Sequence, residues 1–212
     1  SVDRPELLPD EGFKETSLLA SVPAYHRKAA AFDALCHAVE SWWSRRATKE
    51  SIAYSALAVR LLRQCMGEYI AGGTEPVLLE KMFLAANYAG KAINITRTTA
   101  AHAMSYGLTA RYGYAHGHAV ALCLPEVWGY MLRHCNGALP ETFAAIAQVM
   151  GCRSAEEAVM AFRGLVDRAD FARPEIGEGD LEELVRTVNA DRLGNSPVPL
   201  SADVIRELYG WV

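Results

Sequence analysis

Long stretches of helical periodicity, cut by a few sharp stops, constrain this chain more than any other feature. The clearest stop is Gly72-Gly73 followed by Pro76. Glycine ends helices by accepting a left-handed backbone, and proline suits the first turn of the next helix. Before this stop, Pro23 can occupy a first turn behind Ser21, and an amphipathic pattern runs from there to about Trp43. A second pattern runs from about Thr48 to Ile70. After the stop, Thr74 is placed to cap a third helix, with Pro76 in its first turn between Glu75 and Glu80. That helix, Val77 to about Ile95, is rich in Leu, Ala and Met, as deeply buried helices are. Thr98 and Thr99 open a fourth through about Tyr112, and a Gly-containing turn over residues 113–117 follows. The apolar segment from His118 to Cys135 is interrupted by Pro125, which should kink or restart it. Ser154-Ala155-Glu156-Glu157 has the form of a capping box, and Gly177 to Asp180 and Ser201 to Asp203 open the last two helices. Strand-like alternation is scarce and there are no repeats, so the expected fold is all-α, one multi-helix bundle.

Bulk properties narrow the functions such a bundle can have. Of 212 residues, 51% are hydrophobic and 22% charged, which is enough apolar material for one large core. The net charge of −4 disfavours nucleic acid and anionic membrane surfaces as partners. No apolar run approaches the roughly 18 residues that suggest a membrane span. Five cysteines (Cys36, Cys65, Cys123, Cys135 and Cys152) form no CxxC pair and lie in apolar or helical stretches. They are expected to be small buried thiols of a reduced, cytoplasmic chain, and not a cysteine-built zinc site. The opening is unusual, with no initiator Met and a polar, proline-broken segment from Arg4 to Asp10. A fragment whose missing part lies upstream would look like this, and so would a processed terminus.

The histidines are unevenly placed. Asp33 and His37 are four apart on one expected helix, so both project from one face. His102 lies on another, with Tyr106 one turn later, while His116 and His118 flank Gly117 at the start of a third. A carboxylate and several imidazoles converging from three helices suit a divalent iron or zinc ion. Spacing alone leaves other readings open: His102 as a satisfied core histidine, His116 and His118 as polar residues of a helix start. His26 and His134 have no partner pattern and are expected on the surface.

The stretch Phe32-Asp33-Ala34-Leu35-Cys36-His37-Ala38-Val39-Glu40-Ser41 resembles the metal-binding helix of the iron-containing alcohol dehydrogenase family, whose pattern is D-A-L-x-H-A-x-E. Ala101-His102-Ala103 to Ala115-His116-Gly117-His118-Ala119 is similar to that family's second signature, with the same 14-residue separation of its two histidines. The run from Arg192 to Leu200 resembles the N-P-x-P-L stretch before the family's last helix.

The resemblance implies a helical metal domain of the dehydroquinate synthase-like architecture over residues 21–212. Residues 1–20 would then be the linker or end of a missing N-terminal nucleotide-binding domain. It implies a metal held by Asp33, His37, His102 and His116. That metal would be Fe2+, although the same ligand types accept Zn2+. It also implies NAD or NADP in the intact enzyme, a small alcohol or aldehyde substrate, and hydride transfer at the interdomain cleft. A homodimer is among the assemblies left open.

Many members carry a further histidine four residues after the one matched by His102, and Tyr106 stands there instead. It is either a proton relay or a packing residue that narrows the pocket. The run from Asn94 to Tyr106 is similar to a branch acting on phosphonoacetaldehyde, which makes Arg97 a candidate headgroup contact beside Thr98 and Thr99. A solvated surface charge is the alternative for Arg97. As an isolated chain, a helical metal-binding or assembly domain without catalytic activity is the competing reading. A helical phosphohydrolase is disfavoured because no His is followed by Asp.

Overall fold

The structure is a computed structural model that describes residues 12–212. The proline-broken segment from Arg4 to Asp10 lies outside the described residues. Among those described there is no strand. After a short 3-10 helix (Thr16–Ser21), ten α-helices follow: α1 (Ala24–Trp43), α2 (Lys49–Ile70), α3 (Pro76–Thr96), α4 (Ala100–Tyr112), α5 (His116–His134), α6 (Leu139–Met150), α7 (Ala155–Ala169), α8 (Glu178–Arg186), α9 (Ala190–Gly194) and α10 (Ala202–Tyr209). None is long and apolar enough to cross a membrane.

Helix α1 is the central rod, packed against α2, α3 and α5, while α4 lies along α5. Phe32, Leu35, Val39, Trp42 and Trp43 of α1 are all buried. Each such side chain contributes roughly 1.5–3 kcal/mol on leaving water. The aromatic core continues from Trp43 to Trp128 of α5 and Phe143 of α6, with ring centroids 5.3 and 5.9 Å away. Arg27, 5% exposed, ties the start of α1 to its surroundings by donating to the carbonyls of Ala20, Tyr69 and Gly73. A buried guanidinium is tolerated because its donors are met in this way.

The element boundaries differ from expectation in instructive places. Thr74 does not cap α3: Glu75 stands at the N-cap without a side-chain bond and Pro76 opens the helix. Helix α5 begins at His116, not His118, and runs through Pro125 without restarting. Ser154 does cap α7 by accepting from the Glu157 amide, but the Glu157 carboxylate returns to the Arg153 amide and not to Ser154. Helices α6 and α9 were not expected. The first carries an apolar Phe143, Ile146, Ala147 face behind Pro140, and the second has five residues, too few to show a period. All five cysteines are free, and Cys135 and Cys152 are only half-buried, unlike Cys36, Cys65 and Cys123. His26 and His134 are exposed, as expected from their lack of a partner pattern in the sequence.

Candidate metal centre

Three helices bring four donor side chains together. Asp33 and His37 extend from the middle of α1, His102 from the first turn of α4, and His116 opens α5. One ligand atom from each lies within 4.8 Å of all the others. Asp33 is the hub. Its Oδ1 is 3.6 Å from His102 Nε2 and 3.7 Å from His116 Nε2, and its Oδ2 is 3.8 Å from His37 Nδ1. These separations are too long for hydrogen bonds. They are close to the roughly 3.4 Å between ligands that each sit about 2.1 Å from a tetrahedral ion. The Oδ1 of Asp33 and the Nε2 of His102 are buried without a hydrogen-bond partner. Buried polar atoms rarely stay unpaired, and such orphans call for an ion or another explanation. The donor set, one carboxylate and three imidazoles, suits Fe2+ or Zn2+.

Close packing makes this convergence possible at Gly117. A methyl group there would lie 2.0 Å from the Ala29 carbonyl oxygen and 2.8 Å from Asp33 Cβ. Only glycine lets the start of α5 come this near to α1. A second device orients the same end of α5. The Tyr25 hydroxyl accepts from the Ala115 amide at 2.9 Å and donates to His118 Nδ1 at 2.9 Å. His118 Nε2–H in turn donates to the Ala172 carbonyl at 2.8 Å. His118 is therefore a structural neighbour, stacked between Tyr114 and Phe171.

Glu40, which sequence reasoning left without a role, orients His102. It is fully buried in α1, one hydrogen-bonding layer away from the donors. Its Oε1 accepts from the Thr99 amide (3.1 Å), the Ala101 amide (3.2 Å) and the Thr99 hydroxyl, and its Oε2 accepts from His102 Nδ1–H. Trp43 Nε1–H donates to the Thr99 hydroxyl at 3.1 Å. In the neutral ring, the form a metal binds, this arrangement keeps the His102 proton on Nδ1 and leaves the Nε2 lone pair toward Asp33, a carboxylate–histidine support of the kind that steadies metal ligands. It also commits Thr99 to Glu40. The signal for Glu40 was present in the sequence: a carboxylate between Val39 and Trp42, two turns beyond Asp33 on one face.

The charges respond to this crowding. Burial opposes ionisation of Asp33 and Glu40, but the imidazoles and hydrogen bonds around them hold both carboxyls below their usual range. Burial and the neighbouring His102 push His37 down to about 4. Burial likewise lowers His116. His102 goes the other way: burial opposes its charging, but Glu40 and Asp33 outweigh it and raise it to about 9.

The three imidazole donors, His37, His102 and His116, face a cavity of about 310 Å³ that Tyr106, Arg97, Thr98 and Arg192 also line. Tyr106 is exposed and its ring stacks on His116 at 5.6 Å and 8°. Arg97, also exposed, follows α3 with a φ of 60°. That backbone is left-handed and costs a non-glycine residue about 1–3 kcal/mol. Asn195 holds it there: its Nδ2 donates to the carbonyls of Thr96, Arg97 and Thr98, and its Oδ1 accepts from Ser44. The hydroxyl of Thr98 is buried without a partner.

Comparison with known proteins gives this site its relatives. The model of the family described as "Fe-containing alcohol dehydrogenase family, C-terminal" matches residues 28–210. The chain is 30% identical to long-chain-alcohol dehydrogenase 1 of Geobacillus thermodenitrificans, over 96% of this chain and 54% of that protein. It is 34% identical to phosphonoacetaldehyde reductase of Streptomyces viridochromogenes, over 66% of this chain and 34% of that protein. In structure it is similar to the sulfoacetaldehyde reductase of Bifidobacterium kashiwanohense, solved in complex with NAD+. The TM-score is 0.82 at 26% identity, covering 93% of this chain and 52% of that one. The chain thus spans about half the length of the first of these relatives and a third of the second. The all-helical bundle and the matched span agree: this chain belongs to the iron-containing alcohol dehydrogenase family, as its C-terminal domain.

Proposed function

We propose that this chain is the metal-binding half of an NAD(P)-dependent alcohol dehydrogenase or aldehyde reductase, with Asp33, His37, His102 and His116 holding a divalent cation. The observation that carries this reading is the convergence of four donors from three helices, with Asp33 Oδ1 and His102 Nε2 buried and unpaired. Residues 21–212 then form the metal-binding domain, and residues 1–20 lead out of a nucleotide-binding half. Five free thiols support a reducing, cytoplasmic setting.

Asp33, His37, His102 and His116 would hold a divalent cation, which would supply Lewis acidity toward an aldehyde oxygen, and NADH or NADPH on the other half would supply the hydride. The protein's own residues prepare that chemistry. With Asp33 as the single negative charge among neutral imidazoles, a divalent cation held there would leave the site a net positive charge to meet negative charge developing on oxygen. Glu40 fixes the tautomer of His102. Tyr106, on the cavity wall against His116, donates the proton that turns the product oxygen into an alcohol. Arg97 faces the same cavity and supports an anionic substrate such as phosphonoacetaldehyde.

The test is on the full-length enzyme. NAD(P)H-dependent aldehyde reduction should vanish on chelation and return with Fe2+ or Zn2+, and the isolated chain should transfer no hydride. Activity indifferent to chelation would overturn the metal reading. Replacement of Tyr106 by Phe should lower kcat more than it raises KM. Equal reduction of propanal and phosphonoacetaldehyde would remove the anionic substrate.

A further inference from the structure

We propose that the groove between α2 and α7 binds a straight-chain carboxylate of medium length, with the alkyl tail along its floor and the carboxylate at Arg63 and Arg168. The site is separate from the metal centre and does not depend on it.

The groove is a product of helix packing. Helices α2 and α7 both pack on α6, and a cavity of about 460 Å³ lies between their facing sides. That volume falls within the roughly 300–1,000 Å³ of small-molecule sites. Val59, Leu62 and Met66 of α2 and Met160, Ala161 and Leu165 of α7 line it, at the spacings of one face on each helix. Leu35 of α1, 4% exposed, forms the floor, on another face of α1 from Asp33 and His37. Three methionines, Met66, Met150 and Met160, make the wall adaptable to a flexible tail.

Two glycines deepen the groove. Gly67 and Gly164 lie inside α2 and α7, where glycine is costly beside alanine. Neither has a left-handed backbone, and a methyl group on Gly67 would meet no atom within 4 Å. Backbone conformation and packing therefore give no reason for glycine at Gly67, whereas the room it leaves in the groove does. At Gly164 a methyl group would lie 3.2 Å from Arg168 Nη1, so the bare helix wall lets that guanidinium rest against it.

The charge on the lining is of one sign. Arg63 and Arg168 line the cavity and no carboxylate does. Among the described residues neither arginine takes part in a salt bridge. Arg168 is placed by Gly164, and Arg63 Cζ lies 2.7 Å from where a methyl group on Gly151 would stand, next to Met150. An apolar trough edged by guanidiniums matches a ligand with an apolar tail and a planar carboxylate, which a guanidinium can meet with two parallel hydrogen bonds. An alkylammonium of the same length would be repelled.

The experiment is titration calorimetry on the full-length enzyme with butanoate, decanoate and decyltrimethylammonium, each below its micelle concentration. Decanoate should bind at least tenfold tighter than either of the others. Gly67→Leu, which fills the groove, should weaken decanoate at least tenfold, about 1.4 kcal/mol. Arg63→Met combined with Arg168→Met should abolish the preference for decanoate over decyltrimethylammonium, and this pair decides the matter alone if Gly67→Leu does not fold. Metal content and aldehyde reduction should stay at the wild-type level in these variants, because none of the three residues lines the metal cavity. Decanoate affinity within twofold of the wild type in the folded variants would overturn the site, and so would equal binding of the two ten-carbon probes. A groove closed by the nucleotide-binding half or by a second copy would take up no decanoate, which would overturn it equally.

Discussion

Replacing Glu40 by Gln is the most informative single change, because it alters one charge and one proton without altering shape. The carboxylate now accepts four hydrogen bonds: from the Thr99 amide, the Thr99 hydroxyl, the Ala101 amide and His102 Nδ1. The glutamine oxygen can replace Oε1 and keep the first three. Its NH2 group then faces His102 Nδ1, and two donors cannot pair. The imidazole must shift its proton to Nε2, the atom that lies 3.6 Å from Asp33 Oδ1 among the four donors. The lone pair needed by a metal is then occupied by hydrogen. If the amide turns over instead, its NH2 faces two backbone N–H groups in a buried site, which costs about 1–3 kcal/mol.

Loss of such a supporting carboxylate typically weakens metal binding by about 10–100-fold, which is about 1.4–2.8 kcal/mol. The assay is competition for Zn2+ with a chromophoric chelator at pH 8, with circular dichroism to confirm that the helices remain. A Glu40→Gln protein that binds Zn2+ within twofold of the wild type would refute the assignment of Glu40 as the group that sets His102.

Two further outcomes follow from the same geometry. Gly117→Ala places a methyl group 2.0 Å from the Ala29 oxygen and must push α5 off α1. A thermal melt should show a loss of about 1–3 kcal/mol or more, and metal content should fall because His116 moves with α5. The stability of the metal-free protein should pass through a maximum near pH 6.5. His102 is raised to about 9, so its contribution is complete below 6.5 and is lost as pH rises toward 9. His37 is lowered to about 4, so between 6.5 and 4 the unfolded chain takes up a proton that the folded chain refuses, and stability falls with pH. Chemical denaturation at pH 5, 6.5 and 9 checks this, and a monotonic trend would contradict it.

The fold was largely legible because its signals are local. Gly72-Gly73 and Pro76 bound α2 and α3 where expected, and Ser201 caps α10. Helix α9 escaped notice because five residues carry no periodicity, and with it went Arg192, whose position depends on the tertiary bonds of Asn195. The pairing of Asp33 with His37 could be read from helix geometry. That His102 and His116 join them could be read only by resemblance, since the contact is made between helices α1, α4 and α5. The same holds for Gly117, whose need for a missing side chain is set by Ala29, 88 residues earlier. Glu40 was the avoidable omission: a buried carboxylate among Val39, Trp42 and Trp43 demands partners, and its partners are the amides and the imidazole at the start of α4.

The measurement closest to the central claim is metal content after purification, read by plasma mass spectrometry, for this chain beside His102→Ala and His116→Ala. The four-donor centre predicts one iron or zinc ion per wild-type chain and a loss of most of it in both variants, with the helical content preserved. Full retention in both variants would contradict the assignment of Asp33, His37, His102 and His116 as the metal's ligands.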